Sequence, residues 1–234
     1  VRALQPGHWQ WNAWLDNRGR VRALMHLADP GDGRLLALLR GGDAEEACAA
    51  LRIYVLRARV ALRPLPQLHR RFGGALPAGD LGIDQGCIGF GHGERSLWLD
   101  ATGPAGDDPG GERALRLAAI RAGWPSLPAR VSGTLLPPAL GLEHLGAVSF
   151  AKGCYPGQEI AARLHYRGGH KAGLYRVVAD SGLAIGEPVF PDSPSAGVVL
   201  DAVAGPAGFE ALVVLNHDIN DLEKKLNVIE RFAA

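Results

Sequence analysis

The chain has 234 residues, and 25 Lys and Arg stand against 24 Asp and Glu for a net charge of +1. That balance excludes a polybasic nucleic-acid arm or an acidic tail, and a content of 47% hydrophobic and 21% charged residues excludes wholesale disorder. No apolar run approaches the ~20 residues of a membrane-spanning helix. The first residues, Val1-Arg2-Ala3-Leu4, form no basic-then-apolar leader. Cys48, Cys87 and Cys154 are widely spaced with no CxxC pair, which suggests neither a disulfide framework nor a zinc site. The expected setting is the reducing cytoplasm, with no membrane partner.

Residues 8–15 carry Trp9, Trp11 and Trp14, and Asp16-Asn17-Arg18-Gly19 supplies turn chemistry. Val21, Ala23, Met25 and Leu27 then alternate with the polar Arg20, Arg22 and His26, so a hairpin is predicted. A second turn at Asp29-Pro30-Gly31-Asp32-Gly33 leads into residues 35–39, apolar on both faces as a central strand would be. Asp43 followed by Glu46 resembles a capping box. The recurrence of Ala47, Cys48, Leu51, Tyr54 and Val55 predicts an amphipathic helix with Cys48 in its buried stripe. Residues 59–65 are expected to return as a strand. Residues 81–99 read as two strands joined by the glycine-rich stretch 89–93, with Cys87 as packing. Residues 102–111 read as a polar loop. Leu115, Ala118, Ala119 and Ala122 mark a second helix stopped by Gly123 and Pro125. Beyond Arg163 the pattern changes to short strands at 174–178, 188–190, 197–203 and 209–215, which predicts a small antiparallel barrel. A short polar helix is expected at 218–227 and a last strand at 228–232.

Few motifs carry chemistry. Gly89-Phe90-Gly91-His92-Gly93 lacks the following helix that a dinucleotide loop requires, and there is no GxxxxGK[ST], HExxH or GxSxG. His165 and His170, five apart, share no helix face and read as solvated or hydrogen-bonded rather than metal-ligating. Trp9, Trp11 and Trp14 could stack a flat heterocycle, though strand tryptophans more often pack a sheet. The dense constellation is Lys152-Gly153-Cys154-Tyr155-Pro156-Gly157-Gln158-Glu159, joining a thiol, an ammonium, an amide and a carboxylate with two glycines and a proline. Glycines let backbone approach a ligand closely, and an ammonium favours a neighbouring thiolate. From 151 to 176, Lys152, Arg163, Arg167, Lys171 and Arg176 face one acid, Glu159, so an anionic ligand could be drawn here. The alternative is a plain interdomain turn beside a basic strand.

The run Phe150-Ala151-Lys152-Gly153-Cys154-Tyr155-Pro156-Gly157-Gln158-Glu159, with Ala162-Arg163 and Arg167-Gly168 after it, closely resembles the signature of the YgfZ family of folate-binding proteins, related to the glycine-cleavage T-protein. Looser likeness touches the 16–19 turn, Arg121-Ala122-Gly123-Trp124-Pro125 and Leu135-Leu136-Pro137. The resemblance implies an α+β fold: a T-protein-like antiparallel sheet-and-helix body over residues 1–165 and a small C-terminal β-barrel domain over 166–234. It also implies an N-terminal segment, ahead of residue 1, that helps build the folate cavity.

By the same resemblance the chain is a tetrahydrofolate-binding maturation factor. It would support iron–sulfur cluster assembly or repair and, indirectly, tRNA thiolation, with no direct nucleic-acid contact. Cys154 would be the reactive thiolate, or a transient sulfur or cluster ligand, and Lys152 would hold it charged. Gly153 and Gly157 would shape the turn, and Gln158 and Glu159 would offer hydrogen bonds. Trp124, Tyr155 and Arg163 are the folate candidates, and no resident metal is expected. T-proteins carry acidic residues a few positions after the turn, where Ala23-Leu24 stand here, so the aminomethyltransferase reaction is not expected. Three alternatives remain: a one-carbon transferase, a thiol hydrolase using Cys154 with His165 as base, and a non-catalytic docking module.

Overall fold

The structure, a computed structural model, describes residues 4–57, 59–65, 68–100, 108–216 and 226–232. The predicted hairpin is present as β1 (His8–Leu15) and β2 (Val21–Asp29), and β3 (Leu36–Leu39) adds to it in the antiparallel order β1-β2-β3. β3 is therefore an edge strand, not a central one. The central strand is β2, where Val21, Leu24 and Ala28 are fully buried together with His26. The apolar/polar alternation of β2 misplaced His26, because both faces of this strand are covered.

Asp43 caps α1 (Ala44–Arg52) by accepting from the Glu46 amide at 2.8 Å, as the sequence predicts. No residue of α1 is buried, however, and Cys48 is half-buried. The amphipathic stripe is real in pattern but finds no covering layer, and Ile53, Tyr54 and Leu56 beyond it are exposed. Residues 59–65 form no strand. Among the described residues no strand pairs with them, although the Leu62 carbonyl accepts from Arg52 Nη2 at 3.5 Å, and the strand that enters the next sheet is β4 (His69–Gly73).

That sheet has four antiparallel strands in the order β4-β7-β6-β5, with β5 (Leu81–Asp84), β6 (Cys87–Gly91) and β7 (Ser96–Asp100). Residues 81–99 thus make three strands rather than two. The first bend lies at Gln85-Gly86, both at positive φ (47° and 85°), the two-residue loop geometry that suits a tight hairpin. Gly89 lies inside β6 because it forms a floor. A Cβ on Gly82 or Gly89 would come within 2.6 or 2.7 Å of the Trp98 indole, which rests across both and donates to Ser96 Oγ at 2.8 Å. Arg71 lies over the Trp98 ring at 5.5 Å. Gly82→Ala and Gly89→Ala are each expected to cost about 1–3 kcal/mol by overpacking, with a changed near-ultraviolet circular dichroism from the displaced indole.

α2 (Pro109–Arg121) starts at Asp108, which caps the Gly111 amide, and ends before Gly123 and Pro125 as predicted. The predicted loop at 102–111 gives its last residues to this helix, and its first part lies outside the described residues. α2 packs on the C-terminal sheet, where Arg116 pairs with Asp201 and Arg121 reaches Glu210 at 3.0 Å. A helix not predicted, α3 (Gln158–Arg167), follows the motif. The C-terminal strands are β8 (Ala172–Ala179), β9 (Gly197–Gly205), β10 (Gly208–Asn216) and β11 (Asn227–Phe232), antiparallel in the order β11-β8-β10-β9. Pro188 contributes an isolated bridge to Val198. Among the described residues no β9–β11 pairing closes this sheet into the expected barrel. The helix expected over 218–227 falls largely outside the described residues, and Asn227 already belongs to β11.

Among the described residues, the mixture of antiparallel sheets and three α-helices is the predicted α+β class. One core cluster runs from Trp9, Trp11, Leu24 and Phe90 through Ile120 and Leu140 to Leu174, Leu200 and Leu212. Among the described residues no helix is long and apolar enough to cross a membrane.

Candidate functional site

The β1–β2 loop sets up the motif. Asp16 Oδ1 accepts from the amides of Arg18 and Arg20 at 2.8 and 2.9 Å, and the Gly19 amide donates to Asp16 O at 3.0 Å, which locks residues 16–20. Against this loop lies Gly157, the left-handed N-cap of α3 at φ 76°. A Cβ there would strike the Asp16 carbonyl and stand 2.6 Å from Gly19 Cα. Gly19 is confined in return, since its own Cβ would stand 3.0 Å from Ile160 Cβ and 3.2 Å from the Gly157 carbonyl. Two glycines thus interlock the motif with the first hairpin, a long-range contact that explains why the motif turn is fixed.

Within the motif, the Tyr155 amide donates to Gln158 Oε1 at 3.3 Å and the Gln158 amide donates to the Tyr155 carbonyl at 3.2 Å, so Gln158 braces the turn. Glu159 is exposed in the first turn of α3, where a carboxylate favours the helix dipole. The Lys152 ammonium lies 4.4 Å from the Tyr155 ring centroid, a cation–π contact. The Tyr155 hydroxyl is buried with no hydrogen-bond partner, and burial pushes its pKa up. Cys154 is exposed, unlike the half-buried Cys48 and the buried Cys87. Gly153 is open, with nothing within 4 Å of where a Cβ would stand. The thiol and Gly153 therefore face solvent on a turn held from beneath by Gly157 and Gln158.

The structure brings Lys152 and Tyr155 together but gives Trp124 other neighbours. Arg163 is exposed on α3, while the ring partners of Trp124 are Trp9, Trp11, His26 and His92. His165 turns to the Glu143 carboxylate at 2.8 Å and stacks on Phe150 at 4.5 Å, and His170 Nδ1 contacts the Ala172 carbonyl at 2.8 Å. Both histidines are hydrogen-bonded, in keeping with the sequence reading. A surface cavity of about 370 Å³ opens beside Glu143, Phe150, Ala151 and Tyr166, and another of about 290 Å³ is lined by Leu135, His170 and Asn216 among others. Neither is lined by Cys154, Tyr155, Trp124 or Arg163.

A second polar group was missed by sequence reasoning. His26, with no exposure, stacks on Trp9 at 3.9 Å and lies edge-on to Trp11 at 4.3 Å and to His92 at 5.4 Å. Both ring nitrogens of His26 and of His92 are buried without hydrogen-bond partners, as is Arg40 Nε. Desolvation, with the Arg40 charge second, holds His26 well below the usual imidazole range and His92 down at about 3. Arg40 itself is lowered to about 10 by burial. No contiguous segment signals this group, since Trp9 and Trp11 of β1, His92 after β6 and Trp124 after α2 converge on His26 of β2.

No protein-family model matches the chain. It is 40% identical over 106 residues to the tRNA-modifying protein YgfZ of Hamiltonella defensa, which covers 42% of this chain and 32% of that protein. Against the tRNA-modifying protein YgfZ of Serratia proteamaculans it is 38% identical over 120 residues, 47% of this chain and 35% of the relative. The matches thus span about a third of these relatives' length. A Haemophilus influenzae protein described as uncharacterized is 26% identical over 97% of this chain and 82% of its own. Among solved structures, the glycine cleavage system aminomethyltransferase T from Bartonella henselae superposes with a TM-score of 0.56 at 15% identity, covering 92% of this chain and 69% of that one. The resemblance read from the motif and the T-protein-like fold are both borne out.

Proposed function

We propose that this chain, which fits the YgfZ family related to the glycine-cleavage T-protein, is a tetrahydrofolate-binding maturation factor that presents a reactive thiol to a sulfur or iron–sulfur substrate. In this reading it serves iron–sulfur client or assembly proteins in the cytoplasm and reaches tRNA modification through them. The observation that carries the reading is Cys154, an exposed thiol on a turn that the Gly19–Gly157 interlock holds in place. An exposed cysteine adds nothing to packing, so its rigid seating supports a chemical role.

Folate fits the motif's surroundings at two points. The buried, unpartnered Tyr155 hydroxyl can bond a pterin edge, and the exposed Arg163 one helix turn beyond the motif can meet a carboxylate tail. Trp124, the third folate candidate, lies among Trp9, Trp11, His26 and His92 instead. A single thiol could hold a cluster only together with a partner's ligands, since clusters generally take four, so the cluster is cargo in this reading. Ala23 and Leu24 are both buried and apolar in β2 and can neither take nor orient a proton, which supports a binding role over aminomethyl transfer.

The test is calorimetric titration of the chain with tetrahydrofolate, in wild type and Cys154→Ser, beside a complementation assay. Binding is expected to survive the substitution while function is lost. A fully active Cys154→Ser protein would remove the thiol role, and absence of binding to both proteins would remove folate and leave a docking module.

A further inference from the structure

A second face of the molecule, remote in sequence from the motif, is apolar and cationic at once. Ile53, Tyr54, Val60 and Leu65 are exposed, and Leu56 is 86% exposed. Successive turns wind the first part of this stretch, as the amides of Tyr54, Val55 and Leu56 donate to the carbonyls of Leu51, Arg52 and Tyr54 at 3.0, 3.1 and 3.1 Å. Arg52 Nη2 donates to the Leu62 carbonyl at 3.5 Å, so residues 52–56 and 59–63 lie within one side chain's length of each other. Between positions 47 and 79 the sequence holds six Arg and no Asp or Glu. Arg52 is engaged as described, Arg70 lies 3.7 Å from Glu112 and Arg71 covers Trp98. Arg57, Arg59 and Arg63 are exposed and, among the described residues, pair with no carboxylate. Single leucines sit in water at little cost, but five large apolar side chains on one short stretch keep wet a patch that burial would favour.

We infer that residues 52–57 and 59–65 form a docking face for an acidic segment of another protein, whose Asp or Glu side chains meet Arg57, Arg59 and Arg63 while its own apolar side chains cover Leu56 and its neighbours. Charge selects that occupant. Arginine and tyrosine around an apolar centre, with no acid among them, match the composition of protein-binding hot spots, and three unanswered guanidiniums call for carboxylates across the contact. A second copy is disfavoured, because a two-fold contact sets one patch against itself and opposes these arginines to their own kind. Single-stranded nucleic acid stacks on aromatic faces, whereas four of the five exposed apolar side chains here are aliphatic. The face shares no residue with the motif or the folate candidates and stands apart from the function proposed above.

The experiment titrates the full chain with a fluorescein-labelled helical peptide of Leu and Glu, its Leu residues three and four apart, and with a twin carrying Lys for Glu. Anisotropy reads binding and amide hydrogen exchange reads its place. The Leu/Glu peptide is expected to bind with a Kd on the order of 10–100 μM and to slow exchange at 52–65, the Lys twin is expected not to bind, and Leu56→Asp is expected to weaken binding roughly tenfold or more. Leu56 packs on nothing that this change would unfold, which near-ultraviolet circular dichroism checks. Equal binding of the two peptides, unchanged binding by Leu56→Asp, or no binding at about 1 mM overturns the inference. Tighter binding of oligouridylate assigns the face to nucleic acid, tighter binding of phosphatidylserine vesicles assigns it to lipid, and self-association abolished by Leu56→Asp assigns it to a second copy; each overturns it. Protection of the same amides in a chain extended ahead of Val1, with no peptide present, assigns the face to an intrachain cover and overturns it too. The peptides contain neither pterin nor thiol, so Cys154→Ser should bind them as wild type does, and the outcome is independent of tetrahydrofolate binding.

Discussion

Gly157→Ala is expected to lose roughly 2–5 kcal/mol of folding stability, the largest effect of any single methyl group added to the motif. Two costs combine. The residue sits at φ 76°, where a side chain crowds its own backbone, and the added Cβ would meet the Asp16 carbonyl and the Gly19 backbone, neither of which can rotate away. Urea unfolding gives the size of the loss. The alanine also pushes α3 off the 16–20 loop, so Cys154 loses its seating and the variant should fail in complementation even at a temperature where it is folded. Gly153→Ala is the control. Its Cβ meets nothing, so a loss of stability comparable to that of Gly157→Ala would contradict the interlock.

Glu210 carries the second large effect. On β10 it is buried between Arg121 of α2, at 3.0 Å, and Arg176 of β8, at 3.1 Å, so one carboxylate ties a helix to two strands. Glu210→Ala leaves the two guanidiniums without their anion and is expected to cost about 3–5 kcal/mol by chemical denaturation. The hydrogen bond from Arg121, with the Arg176 charge, holds the Glu210 carboxyl below its ordinary range. A lowered folded pKa contributes stability that is present above the unfolded value near ~4.3 and is lost as pH falls through the folded value. The gap in stability between wild type and Glu210→Gln should therefore be constant at neutral pH and shrink on acidification. A gap that widened in acid would contradict the ion-pair account.

Local chemistry was legible in the sequence wherever one segment decides its own shape. The Asp16 turn, the Asp43 cap, the Gly123-Pro125 stop and the strands flanking residue 206 are of this kind. So was the motif, because its residues are contiguous. What failed depends on a distant neighbour. Among the described residues, 59–65 have a strand's composition but no strand beside them, and α1 has an apolar stripe but no buried residue. Glycines at 82 and 89 resemble turn residues until Trp98 is laid across them. His26 occupies a polar slot in its strand's alternation, and only the convergence of Trp9, Trp11, His92 and Trp124 shows that the slot is interior. Arg40 follows a short apolar strand, and nothing in its own segment reveals its neighbours.

The crowding of Trp9, Trp11 and Trp124, whose ring centroids stand 5.7–6.2 Å apart around one imidazole, has an optical consequence. Indoles this close exchange excitation, so light absorbed by any of the three is shared among them. An imidazolium quenches indole emission far more strongly than a neutral imidazole does. Three of the chain's five tryptophans therefore act as one antenna around His26, and the unlabelled protein should stay bright while that buried imidazole is neutral and dim where unfolding or acid lets it take a proton.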